Sequence, residues 1–374
     1  MPKLPQGVNR RKDGLLEKRF TVEGKRYSIY AHTVKELQEK ELAKRQDIAS
    51  HSYRKNAVIT LDEYFKEWLD QKARTAKSST IYRYGMDYKN HISGILGKRK
   101  VTEIERREVI AMTEQIRSET SAYMANYCLT LITSILFGAV DDEIIDRNPA
   151  ERIKAIKETK EKTAAETIHR ALSKEEQRAF LNSIKEDYYR EFLELILTTG
   201  MRFGECAALQ WADIDNEAGV LRITKTQTYG ADGKKIVSES PKTEKSKREI
   251  PLNKSIKDVL RRQRQKMLDI YGLPGVQPKS PIFTSVYGHK IDRQDINRSI
   301  KKAVTKMNAE GISTDHFSVH ALRDTFATRY IEAGGTPQTL KTILGHASLA
   351  MTMDLYAHVL PDTKAEEMNR ISII

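Results

Sequence analysis

The sequence predicts a mainly α protein with small β elements, divided into three parts. Three observations carry this. Apolar residues recur at helical spacing from about residue 57 to 152, and again over most of 167–374. Strand-like alternation is confined to the first thirty residues and to the stretch from Val220 to Leu252. Between the two helical regions, residues 153–166 are rich in Lys and Glu and poor in large apolar side chains, as a linker is. A chain of 374 residues also exceeds one ordinary domain and suits two or three.

The first part spans residues 1–55. Residues 1–30 hold eight basic residues (Lys3, Arg10, Arg11, Lys12, Lys18, Arg19, Lys25, Arg26) against three acids. Two runs, Arg19 to Val22 and Arg26 to Tyr30, alternate around Glu23-Gly24-Lys25, a plausible hairpin turn. A helix from Thr33 to about Gln46 follows. A basic sheet of two or three strands on one supporting helix suits a nucleic-acid groove, with Arg10, Arg11, Lys12 and Arg26 as contacts. The alternative is a solvated basic hairpin with no site of its own; that region after region is basic favours the DNA-binding reading.

The second part spans 57–152. Thr60 and Glu63 have capping-box spacing, and Leu61, Tyr64, Phe65, Trp68 and Leu69 form a helical stripe, so Phe65 and Trp68 are expected in a core. A helix from about Ser79 to Ile95 carries Ile81, Tyr84, Tyr88, Ile92 and Ile95. Arg83 and Lys89 lie off that stripe and read as phosphate contacts or as solvated charges. Helices over about 102–118 and 121–143 complete a bundle that ends before Asn148-Pro149.

The third part, 167–374, opens with a second capping box, Ser173 and Glu176, on a helix carrying Phe180, Leu181, Ile184 and Phe192. One small antiparallel sheet is expected over Val220–Leu252, with turns at Gly230, Asp232-Gly233 and Pro241. Helices are expected from about residue 253 onward.

Sixty-four Lys plus Arg against 51 Asp plus Glu leave a net charge of +13, which suits a polyanionic partner. Cys128 and Cys206 form no pairing motif, and no run is expected to be apolar over the roughly 18–20 residues of a bilayer span. A cytoplasmic protein is expected, with no membrane partner.

A site that cuts a phosphodiester without a metal needs a nucleophile, fixed positive charge on the non-bridging oxygens, and an acid for the leaving oxygen. Arg202, opening a helix after Thr199-Gly200-Met201, reads equally as a phosphate fork and as the partner of a structural ion pair with Glu205. Lys242 sits on a turn between strands. His320 and Arg323 fall at i and i+3 on one helix face. Thr336-Pro337 starts a short helix that Gly345 ends, leaving His346 just beyond it. Tyr356 follows in the next helical stretch. Its hydroxyl, with an ordinary pKa of about 10, needs cationic neighbours or a base to attack at neutral pH. The acid pairs and runs (Asp213, Asp215, Asp141-Asp142-Glu143) read as turn and surface carboxylates, so neither metal nor cofactor is expected.

Singly these signals are weak. Together, Arg202, Lys242, His320-x-x-Arg323, Gly345-His346 and Tyr356 form an ordered set that resembles the catalytic signature of tyrosine recombinases, integrases of phages and integrative conjugative elements above all. The flanking segments Thr199–Glu205, His320–Thr328 and Leu344–Ser348 share the resemblance. Residues 57–152 resemble that family's core-binding domain and residues 1–55 its arm-binding domain. Two departures stand out: Asp324 occupies a position where many members have a second histidine, and ten positions rather than nine separate His346 from Tyr356.

The resemblance implies a site-specific recombinase that integrates and excises a mobile element through a 3′-phosphotyrosyl intermediate. It gives Arg202 and Arg323 the scissile phosphate, Tyr356 the attack, Lys242 the leaving 5′-oxygen, His320 the tyrosine proton and His346 a hydrogen bond to the phosphate. It also implies double-stranded DNA with core and arm sites as the partner, and a homotetramer on DNA linked by C-terminal tails ending here in Ile371, Ile373 and Ile374. Accessory partners would be an excisionase or a DNA-bending host factor. The rivals are a chromosome-dimer resolvase, a type IB topoisomerase, and a DNA-binding regulator with an inactive recombinase fold.

Overall fold

The computed structural model describes the chain except residues 1–4, 6, 11–13, 23–24, 56–58, 157–169, 239–246, 347, 351 and 354–374; at 22, 25–26 and 47–55 it describes the backbone alone. The chain divides into two compact units, Met1–Thr159 and Lys160–Ile374.

The first unit opens with an antiparallel sheet of β1 (Val8–Arg10), β2 (Leu16–Val22) and β3 (Lys25–Ala31) in the order β1-β2-β3. Val22 pairs with Lys25, so the expected hairpin forms with Lys25 in β3 rather than in the turn. Alternation puts Leu16, Phe20, Ile29 and Ala31 on the face covered by α1 (Val34–Lys55), where Leu37 completes a small core with Val8. Helix α1 runs about two turns beyond the expected end.

The helical bundle follows. In α2 (Leu61–Ala73) both halves of the predicted capping box form, and Tyr64, Phe65 and Trp68 are buried. The predicted second helix is interrupted: α3 (Ser78–Asp87) passes into a π turn (Tyr88–Ile92) and then α4 (Ser93–Leu96). Tyr88, Ile92 and Leu96 recur every four residues, more than the 3.6 of a straight helix, and the wider turn keeps them in register on the core. Leu96 therefore takes the deep position expected for Ile95, which is half-buried. Asp62 accepts from the Tyr88 hydroxyl at 2.9 Å and the Ser93 hydroxyl at 2.8 Å, tying α2 to the turn.

The bundle is completed by α5 (Arg106–Glu119) and α6 (Ala122–Asp141). Contrary to the sequence expectation, α6 is by length and composition long and apolar enough to cross a bilayer. Its residues Ala125, Cys128, Leu131, Ile132, Ile135 and Leu136 are packed inside the bundle core. The expected linker also begins later than Ile153: Ile153 and Ile156 pack on this core, and the Asn126 side chain donates to the Ile156 carbonyl (2.9 Å) and accepts from its N–H (2.8 Å).

In the second unit the predicted capping box of Ser173 and Glu176 starts α7 (Lys174–Ser183). The single helix expected to carry Phe180 through Phe192 is two, since α8 (Arg190–Thr199) starts afresh and supplies the centre of the core with Phe192, Leu193, Leu195 and Ile196. Next come α9 (Phe203–Ala207) and five strands: β4 (Ile214–Asp215), β5 (Val220–Ile223), β6 (Thr226–Tyr229), β7 (Lys235–Ser238) and β8 (Arg248–Pro251). These form two ladders rather than the one expected, a sheet ordered β4-β5-β8 and a hairpin β6-β7. Among the described residues there follow α10 (Lys254–Tyr271), α11 (Arg293–Ala309), α12 (Val319–Glu332) and α13 (Pro337–Leu344).

Candidate active site

Helix α8 ends at Gly200, whose left-handed backbone (φ 66°) turns the chain sharply. A Cβ there would come within 2.4 Å of the Phe326 ring and 2.6 Å of Leu344, so both conformation and space demand glycine. The turn delivers Arg202 as the N-cap of α9, where its N–H donates to Glu205 Oε2 at 2.9 Å.

A similar device ends α13. Thr336 caps its start with Pro337 at the first helical position, and Gly345 (φ 65°) closes it. The last carbonyls of a helix lack intrahelical donors and carry its negative pole. Here arginines fill that need. Arg323, on α12, donates Nη2 to the Leu344 carbonyl at 2.9 Å and Nη1 to the Gly200 carbonyl at 2.6 Å. Arg202 donates Nη1 to Leu344 O at 3.4 Å and Nη2 to Gly345 O at 3.2 Å. Arg248, on β8, donates Nε to Ile343 O at 2.5 Å.

Glu205 supplies the counter-charge. It pairs with Arg202 Nη1 at 3.0 Å and with Arg248 Nη2 at 2.8 Å. Burial alone would raise its carboxyl, but the Arg248 hydrogen bond and charge, together with Arg202, hold it below the ordinary range. Burial, with the neighbouring charges of Arg202 and Arg248, pushes Arg323 down to about 9. The guanidiniums differ in access: the Arg202 side chain is 41 % exposed, whereas Arg323 is 3 % exposed as a residue.

His346 stands half-buried just past Gly345, its N–H donating to Lys341 O at 3.1 Å and its Nδ1 lying 3.0 Å from the hydroxyl of the buried Thr352. His320 is exposed on the first turn of α12, with Nε2 3.8 Å from Asp324 Oδ1.

The fold thus brings Arg202, Arg323 and His346 to one helix end and carries His320 on the helix that delivers Arg323. Of the two readings of Arg202, the ion pair with Glu205 forms, and the guanidinium also faces the Leu344 and Gly345 carbonyls. Lys242 and Tyr356 lie outside the described residues, as do Arg11, Lys12 and the terminal isoleucines. Arg10, on β1, and Lys89, in the π turn, are exposed in the first unit; Arg26 lies on β3. Arg83 is already engaged there, 3.3 Å from Asp87 and 4.3 Å above the Tyr127 ring. Of the expected turn and surface carboxylates, Asp215 pairs with Arg222 at 2.5 Å, whereas Asp213 is buried rather than on the surface and pairs with Lys225 at 3.1 Å.

Sequence reasoning missed Arg248. A signal was present: Arg248 alternates in phase with buried Ile250 on β8, while Glu249 and Pro251 point outward. A cation in the apolar phase of a strand requires a buried carboxylate partner.

Residues 161–362 match the Phage integrase family, and residues 61–156 match the Phage integrase central domain. The chain belongs to the phage integrase family. A tyrosine recombinase XerC-like protein of Caldanaerobacter subterraneus is 28 % identical over 335 residues, covering 84 % of this chain and 83 % of the relative. The ICEBs1 integrase of Bacillus subtilis is 26 % identical over 345 residues, covering 91 % of this chain and 90 % of the relative. The Tn1549 transposon integrase, solved in complex with a circular intermediate DNA, superposes with a TM-score of 0.65 at 20 % identity, over 84 % of this chain and 100 % of that one. That likeness establishes the shared fold.

Proposed function

We propose that this chain, a site-specific recombinase of a mobile element, cuts and rejoins attachment-site DNA through Tyr356. The phenol oxygen attacks the scissile phosphorus as the bond to the 5′-oxygen breaks, leaving a 3′-phosphotyrosyl link and a 5′-hydroxyl. A 5′-hydroxyl from another strand reverses the step. The phosphoester is conserved throughout, so rejoining needs no external energy source.

The observation that carries this reading is the meeting of Arg202, Arg323 and His346 at the end of α13. Two guanidiniums there face carbonyl oxygens, and a phosphate with two non-bridging oxygens is a stronger acceptor of the same geometry. Arg202 and Arg323 then stabilise the five-coordinate transition state. Lys242 protonates the leaving 5′-oxygen, His320 takes the tyrosine proton, and His346 donates from Nε2 while Thr352 holds Nδ1. The sheet with Arg10, Arg11, Lys12 and Arg26 contacts arm sites, and the bundle with Arg83 and Lys89 contacts the core site. Four protomers assemble around two duplexes, with an excisionase or a DNA-bending host factor setting direction.

The decisive experiment uses a nicked duplex carrying the attachment core, taken from the repeats that flank the element. The protein is expected to form a covalent adduct with it in the absence of Mg²⁺, and Tyr356→Phe to form none. An adduct with the phenylalanine variant refutes the nucleophile assignment.

A further inference from the structure

The Arg248 side chain is 3 % exposed, against 41 % for that of Arg202. Two kinds of contact from Arg248 to described residues matter here. Its Nη2 holds Glu205 Oε2, the oxygen that also takes the Arg202 N–H, while Glu205 Oε1 takes the Arg202 side chain. Its Nε holds Ile343 O, and its Nη1 and Cδ pack so tightly under Gly345 that a Cβ there would come within 3.1 and 3.3 Å of them. The Arg202 guanidinium is seated between these two fixtures: Glu205 on one side, and the Leu344 and Gly345 carbonyls on the other.

We infer that Arg248 is a positioning residue for strand cleavage: it fixes both the Glu205 carboxylate and the Leu344–Gly345 turn, and thereby aims Arg202, without touching DNA. The inference rests on the reading that Arg202 grips the scissile phosphate. An arginine is required because one planar fork must serve a carboxylate and a carbonyl at once, which a lysine ammonium does not reproduce.

The test uses the full-length protein and the nicked core duplex, with three readouts: the single-turnover rate of covalent adduct formation, the Kd for the same duplex, and the thermal melt. Arg248→Met, assayed well below its melting temperature, is expected to bind DNA close to the parent while cutting about 10²-fold more slowly, the order produced by misplacing a reacting group by an ångström. Arg248→Lys is expected to recover part of the rate. If Arg248→Met does not fold, Arg248→Lys carries the test alone, and slowed cutting with parental binding supports the inference. A merely structural Arg248 gives a lowered melting temperature with a parental cutting rate wherever the variant is folded; that result overturns the inference, as does an equal loss of binding and rate. Arg202→Ala and Tyr356→Phe run beside them. If either still cuts at the parental rate, the reading of the catalytic residues fails; if both are dead while Arg248→Met cuts normally, only the role of Arg248 fails.

Discussion

Arg202 and Arg323 donate to the same oxygen, the carbonyl of Leu344, at 3.4 and 2.9 Å. Two like charges meet there because the C-terminus of α13 and the Glu205 carboxylate together offset their repulsion. Arg323 sits deep with its second donor on Gly200 O, while Arg202 reaches toward solvent. The geometry has consequences at several positions.

Arg323→Lys removes one of two anchors, because a single ammonium cannot serve Gly200 O and Leu344 O in the same plane as a phosphate. The expected outcome is a loss of about 10²–10³-fold in cleavage rate, the range seen on removing one donor to developing charge, with a smaller loss of DNA affinity. Single-turnover cleavage beside a binding titration checks it.

Gly200→Ala is expected to harm both stability and cleavage. The left-handed backbone costs a non-glycine residue about 1–2 kcal/mol, and overpacking against Phe326 and Leu344 adds about 1–3 kcal/mol. The displaced Gly200 carbonyl also loosens Arg323. A lowered denaturant midpoint with unchanged slope, and slowed adduct formation in the folded fraction, are the measurements.

Glu205→Gln leaves Arg248 buried without its counter-charge, at a cost of roughly 3–5 kcal/mol for a broken buried pair. The folded carboxyl lies below its unfolded value, so its stabilisation is fully present above the unfolded carboxylate range of about 4.3 and is lost as pH falls through the lower folded pKa. The gap in melting temperature between parent and variant is therefore expected to be constant at neutral pH and to close below about pH 4. A gap independent of pH down to acid denaturation contradicts the ion pair.

Deleting residues 1–55 is expected to lower affinity for arm sites while sparing cleavage of the core site. The sheet has its own small core of Val8, Leu16, Ala31 and Leu37, and the bundle has a separate one built on Tyr64, Phe65 and Trp68. Competition binding with both site types checks this, and equal binding of both by the shortened protein rules the arm role out.

Much of the local structure was legible because its causes are local. The capping boxes at Thr60–Glu63 and Ser173–Glu176, the Pro337 start and Gly345 stop of α13, and the burial of Trp68 all follow from residues within one or two turns of each other. The π turn at Tyr88–Ile92 was hidden, since a stripe repeating every four residues looks like an ordinary helix until packing demands that it stay aligned. The length and apolar composition of α6 are visible in the sequence, whereas its place in the bundle core is decided by packing against distant elements.

The sequence by itself determined the family, through the ordered set Arg202, Lys242, His320, Arg323, His346 and Tyr356, and the start and stop of the short helix that precedes His346. Tertiary structure alone decided that one helix end gathers Arg202, Arg323 and Arg248, and that Glu205 is shared by two of them. The reason is physical: periodicity and capping report on neighbours along the chain, whereas a buried guanidinium is satisfied by whichever carboxylate and carbonyls the packing of distant elements brings within hydrogen-bond reach.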